Sequence, residues 1–165
     1  MSGKVTISLA VNGETIEALV APRTTLADFL RQDIQLTGTH TGCEMGVCGA
    51  CLVLLDDRPV HACLMFAVQA DGCAVETVEG LTHRRAIDDL QKAFHERNAL
   101  QCGFCTAGML VSAYGVLASG DELDRDSIRD ALSGNYCRCT GYESIVDAIE
   151  TTARLRRQHM EKEEA

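Results

Sequence analysis

The chain has 165 residues, 46% of them apolar, which suits one ordinary domain or two small ones and excludes a disordered tail. Fifteen Lys and Arg against 24 Asp and Glu leave a net charge of −9, so a surface built for nucleic acid or an anionic membrane is not expected. No apolar run approaches the roughly 18 residues of a transmembrane helix, and the amino terminus lacks the pattern of a secretory signal. Nine cysteines in such a chain read better as metal ligands than as disulfides, because a reducing, cytoplasmic compartment keeps thiols free.

Val5, Ile7, Leu9 and Val11 alternate with small or polar residues before Asn12-Gly13, which predicts a β-hairpin over residues 4–20 with a primed turn. Thr25 and Asp28 predict a capped short helix whose Leu26, Phe29 and Leu30 face the sheet. Residues 42–51 then hold three cysteines and three glycines. Residues 52–55 predict a buried strand, 56–59 a turn, 60–65 a return strand carrying Cys63, and 74–78 a further short strand. This is the element order of a β-grasp ferredoxin.

Past Glu79-Gly80 the strand patterns give way to helical periods, which predicts a domain boundary near residue 80, with residues 1–80 and 81–165 as the two domains. Ile87, Leu90 and Phe94 form one stripe; Met109, Leu110, Ala113, Val116 and Leu117 form a second, ended by Gly120. Ile128, Ala131 and Leu132 mark a third helix, opened by Asp124 or Asp126 and closed by Gly134. Thr140 and Glu143 have capping-box spacing ahead of a fourth, with Ile145, Ala148, Ile149, Thr152 and Leu155 along it and a frayed tail from about residue 158. The expected fold class is α+β: an N-terminal β-grasp plant-type ferredoxin domain, then an all-α four-helix bundle.

The spacing Cys43-x4-Cys48-x2-Cys51, with Cys63 downstream, is the plant-type pattern for a [2Fe-2S] cluster. Gly42, Gly46 and Gly49 free the loop to curl with its N–H groups turned inward. Cys102 with Cys105, and Cys137 with Cys139, each fall at the start of a predicted helix and supply four more thiols. Helix N-termini favour nearby negative charge, and Arg138 adds a cation. Taken alone, this second set is also compatible with structural zinc. Cys73 is left over and reads as a small buried apolar residue. His40, His61, His83, His95 and His159 share no ligand spacing, and Asp56-Asp57 reads as a turn.

The order of a plant-type motif followed by Gln101-Cys102-Gly103-Phe104-Cys105 and Gly134-Asn135-Tyr136-Cys137-Arg138-Cys139-Thr140-Gly141-Tyr142 resembles the small iron–sulfur subunit of the xanthine oxidase family of molybdenum hydroxylases. The likeness runs from Val5 to about Leu155 and is nearest the separate-subunit members, of the aerobic carbon monoxide dehydrogenase and 4-hydroxybenzoyl-CoA reductase type. It implies two [2Fe-2S] clusters in this chain. The partners it implies are a large subunit with a molybdenum–pterin cofactor in its cytosine dinucleotide form and a medium subunit with FAD, assembled as a dimer of heterotrimers.

The resemblance places the cluster of Cys102, Cys105, Cys137 and Cys139 nearer the pterin, with Gln101 hydrogen-bonding to that cofactor, and the cluster of Cys43, Cys48, Cys51 and Cys63 toward the flavin. No residue of this chain is expected to convert substrate. Ala107 stands where the family usually has proline, a change that touches local stiffness rather than ligation. Two other readings stay open at this point: a free-standing acidic ferredoxin-type carrier with an added helical domain, and a zinc-stabilised interaction module.

Overall fold

The computed structural model describes residues 3–118 and 123–163. Strands β1 (Val5–Val11) and β2 (Glu14–Val20) form the expected hairpin, with Asn12 at φ 52° and Gly13 at φ 86° as the two left-handed turn residues. Helix α1 (Leu26–Asp28) starts where Thr25 Oγ1 accepts from the Asp28 N–H at 3.0 Å, then widens into a π-turn over Phe29–Asp33. Strands β3 (Leu52–Leu55), β4 (Arg58–His61) and β5 (Ala74–Glu76) complete a sheet in the order β2-β1-β5-β3-β4. The β1–β5 pair is parallel and the other three are antiparallel.

The return strand is shorter than the sequence suggested. It stops at His61, and Cys63 sits on a 3-10 turn, Ala62–Leu64, which begins where the Ala62 N–H donates to the Cys51 carbonyl. The last strand ends at Glu76 because helix α2 (Val78–His83) begins there and crosses residue 80. Asn12 of the hairpin turn holds that helix start: its Oδ1 accepts from the Thr77 N–H at 2.9 Å, and Thr77 Oγ1 donates to Glu79 at 2.6 Å.

Four further helices follow among the described residues: α3 (Asp88–Glu96), α4 (Thr106–Ala118), α5 (Arg125–Ala131) and α6 (Glu143–Glu163). Asp124 caps α5 through the Ser127 N–H at 2.8 Å. Gly120, the expected stop of α4, lies outside the described residues, as do residues 164–165. α6 runs five residues past the expected fraying point because residues 154–163 contain neither Gly nor Pro and consist largely of good helix formers. No described helix is long and apolar enough to cross a membrane.

Two apolar cores meet at one strand. Val53 of β3 packs with Ile7, Leu9, Leu26, Phe29 and Leu30, whereas Leu52 and Leu54 pack with Leu81, Leu90, Met109 and Ile149 of the helical half. Residues alternate between the faces of a strand, so β3 is buried on both. Helix α4 lies against it and is enclosed on every side from Gly108 to Ala113, wider than the single stripe read from the sequence. Arg125 ties α5 to α6 through Glu143 and Glu150, each at 2.6 Å.

Arg156 of α6 grips Asp89 of α3 with two bonds of 2.7 and 2.8 Å. Burial alone would raise the Asp89 carboxyl, but the guanidinium outweighs it and holds the pKa below the ordinary 3.8. A depressed carboxylate pKa stabilises the fold above 3.8, and that contribution is lost as pH falls through the folded value. Asp89→Asn should therefore cost about 1 kcal/mol or less at pH 7, because the pair is partly solvated. Urea unfolding at decreasing pH should show the difference from the native chain closing below that range; a constant difference would refute the assignment.

Candidate metal centres

The loop of residues 42–51 coils because Glu44, Gly46 and Gly49 all adopt positive φ, at 53°, 74° and 69°. The coil aims the N–H groups of Met45 and Val47 at Cys43 Sγ, at 3.5 and 3.4 Å. Those two donors pull the Cys43 thiol down to about 6, with Cys48 adding a side-chain hydrogen bond. Cys51, at the entry to β3, is 1% exposed, and burial pushes it up to about 12, with the neighbouring Cys63 and Cys48 adding to the effect. The sequence therefore collects Cys43, Cys48, Cys51 and Cys63 in one place. His61, given no role on spacing, has Nδ1 4.0 Å from Cys51 Sγ.

The second set also gathers. Cys102 and Cys139 bring their sulfurs to 3.6 Å at the surface, while Cys105 and Cys137 pair farther in. Burial, then the Cys137 thiol, raises Cys105 to about 12. For Cys137 burial also opposes the thiolate, yet the Thr140 hydroxyl, donating at 3.2 Å, and nearby backbone N–H groups bring the net shift below the usual thiol value. Thr140 was expected to cap α6 in a box with Glu143. Instead its Oγ1 accepts from the Tyr142 N–H at 3.2 Å and donates to Cys137, and Glu143 turns to Arg125 and Arg129. The Tyr142 hydroxyl accepts from the Cys137 N–H at 2.9 Å.

Gln101 Nε2 donates to the Cys139 carbonyl at 2.9 Å and so joins the two cysteine pairs of this set. Arg138 is exposed between its two cysteines. Cys73 is half-buried rather than enclosed, beside the Asp71–Gly72 turn and apart from both sets. The sets themselves are neighbours. The Tyr136 N–H donates to the Cys48 carbonyl at 2.8 Å, and His40 stacks on Phe104 at 4.8 Å while its Nδ1 bonds the Phe104 carbonyl at 2.8 Å. Thr140, Tyr142, His40 and Phe104 make contacts that spacing does not assign, although Phe104, Thr140 and Tyr142 stand in the cysteine motifs themselves.

The donor sets fit two-iron clusters. Each set offers four thiols, the complement that a sulfide-bridged pair of irons takes. Thr39 Oγ1 and Thr106 Oγ1 are buried without a partner, Thr106 directly after Cys105 and Thr39 four residues before Cys43. Thiols pushed up to about 12 carry protons at neutral pH, so filling the sites must displace them.

Comparison with known proteins agrees with this geometry. Residues 9–74 match a family described as a 2Fe-2S iron-sulfur cluster binding domain, and residues 77–150 match a [2Fe-2S] binding domain family. The chain is 51% identical over 150 residues to caffeine dehydrogenase subunit gamma from Pseudomonas sp. (strain CBB1), covering 89% of this chain and 90% of that protein. It is 49% identical over 148 residues to the nicotine 6-hydroxylase small subunit of Paenarthrobacter nicotinovorans, covering 90% and 89%. The crystal structure of quinoline 2-oxidoreductase from Pseudomonas putida 86 superposes with a TM-score of 0.89 at 50% identity, over 95% of this chain and 98% of the matched one. The chain thus belongs to the small iron–sulfur, electron-transfer subunits of the xanthine oxidase-family molybdenum hydroxylases, and its place is in an oxidoreductase complex.

Proposed function

We propose that this chain carries electrons from a molybdenum–pterin site in a large partner subunit to FAD in a medium partner. The observation that supports this most is that eight of nine cysteines gather as two neighbouring sets of four. When bound, each [2Fe-2S] cluster supplies a one-electron redox centre. In this reading Cys43, Cys48, Cys51 and Cys63 hold the cluster on the flavin side, and Cys102, Cys105, Cys137 and Cys139 hold the one near the pterin. Gln101 fixes the Cys139 loop and presents the rest of its amide toward that cofactor.

The same reading divides the chain into domains at residues 1–80 and 81–165, with α3, α4, α5 and α6 as a four-helix bundle and α2 as the link. The family matches, 9–74 and 77–150, favour a division in that region. Exposed apolar side chains lie within a few residues of the cysteines of each set: Met45, Val47, Leu64 and Phe66 for the first, Leu100, Phe104 and Tyr136 for the second. Two apolar rims suit burial against two different partners better than the life of a free carrier. A dimer of heterotrimers in the cytoplasm, with the pterin in its cytosine dinucleotide form, completes the proposal.

Purification of the native complex followed by metal analysis and paramagnetic resonance tests this. Two distinct [2Fe-2S] signals with molybdenum and flavin at fixed ratios are expected. A monomer with both clusters and neither partner cofactor would favour the carrier, and a colourless zinc protein would refute both. Cys102→Ser should remove only the signal of the helical-half cluster and stop turnover with substrate; retention of both signals would refute the ligand assignment. Thr140→Val should lower the potential of the same cluster by on the order of tens of millivolts, since a hydrogen bond to a ligating sulfur favours the more negative, reduced state. A redox titration showing an unmoved potential would rule out that role.

A further inference from the structure

The two cysteine loops touch through backbone rather than through side chains alone, and the contact leaves no slack. The Gly49 carbonyl faces Gly108 of α4 so closely that a Cβ on Gly108 would lie 2.0 Å from that oxygen. On its other side, a Cβ on Gly49 would lie 2.5 Å from both the Gly134 carbonyl and Asn135 Nδ2. Asn135 is a polar residue only 3% exposed, and its Nδ2 donates to the Gly49 carbonyl at 3.4 Å. One residue along in each loop, the Tyr136 N–H meets the Cys48 carbonyl at 2.8 Å. The flanking residues are ligand candidates from different sets, Cys48 in the first and Cys137 in the second.

Resting on the two-cluster reading above, we propose that Gly49, Gly108 and Asn135 are positioning residues for electron transfer between the two sets. They clamp the loop of residues 42–51 against the Asn135–Tyr136 backbone and fix the separation and orientation of the cysteine sets. The route from the Cys137 thiolate to the Cys48 thiolate is covalent except for the Tyr136 N–H to Cys48 carbonyl bond. With a one-electron centre held by each set, one electron from the complex's own substrate oxidation would cross it, oxidising the centre on the Cys137 side by one electron and reducing the centre on the Cys48 side by one. No proton moves and no bond forms or breaks. At 3.4 Å the Asn135 bond is a weak tie on a carbonyl that also accepts the Leu52 N–H at 3.3 Å, so the amide acts mainly by filling the gap.

The test uses the reduced native complex and reads the spin–spin interaction between its two paramagnetic clusters, with iron content measured in each sample. Gly108→Ala is the direct probe. Alanine suits a helix interior, so α4 persists while the new methyl pushes the Gly49 carbonyl away. Asn135→Asp keeps the side-chain volume but sets a carboxylate oxygen, in place of the amide donor, against the buried Gly49 carbonyl, so that repulsion opens the contact. Each variant should hold native iron with a weakened interaction and slower transfer between the clusters in single-turnover reduction by substrate. A native interaction in either iron-replete variant overturns the proposal. Hydrogen exchange on the unsubstituted complex needs no variant: slow exchange is expected at the Tyr136 amide despite its exposed ring, and rapid exchange there also overturns the clamp. Absence of two cluster signals before any substitution would fail the two-cluster reading instead, and exchange protection would still judge the contact.

Discussion

Everything in this chain leans on the double burial of β3. A strand covered on one face belongs to one core, but Val53 points into the sheet core while Leu52 and Leu54 point into the helical one. Full burial of such side chains stabilises by about 1.5–3 kcal/mol each, as an upper estimate. The four-residue strand therefore couples two halves that could otherwise move independently. Cys51 immediately precedes it, and α4 crosses its outer face with Gly108 at the cysteine loop and Gly115 beside Pro59. Placing the first thiol set and docking the second are consequences of the same packing.

The thiols are held in opposite electrostatic conditions. Cys43 is ready as a thiolate because backbone N–H groups converge on its sulfur, whereas Cys51 and Cys105 are held protonated by burial until a metal displaces the proton. In the helical set the contrast falls between Cys137, which Thr140 and backbone N–H groups shift down, and Cys105, which burial pushes up, while Cys102 and Cys139 are exposed.

Much of this was legible in the chain of residues. The hairpin over residues 4–20, the Thr25 cap, the buried strand at residues 52–55 and the amphipathic helices all follow from local periodicity and turn chemistry, as do the cysteine spacings. What was missed required long-range partners. Local sequence carries the return strand past His61, because nothing local marks the turn, which depends on the Cys51 carbonyl. Ser/Thr-x-x-Glu spacing points to a cap at Thr140; here a thiol and two arginines from α5 compete for the same side chains and win. Local sequence places Cys73 inside, but the turn that enters the central strand β5 leaves it half-buried.

The sequence by itself determined the chemistry: which thiols exist, how they are spaced, and that strands precede helices. Such features are local, and 3.6-residue, two-residue and Cys-x-x-Cys periods survive without knowledge of the fold. Only the tertiary structure decided that the two cysteine loops face each other, that Gly49 and Gly108 meet backbone to backbone, and that Asn135 reaches across to the first loop. These contacts join residues some sixty to ninety positions apart, roughly the span from Gly49 to Gly108 and to Asn135, and packing of both cores on β3 is what brings them together.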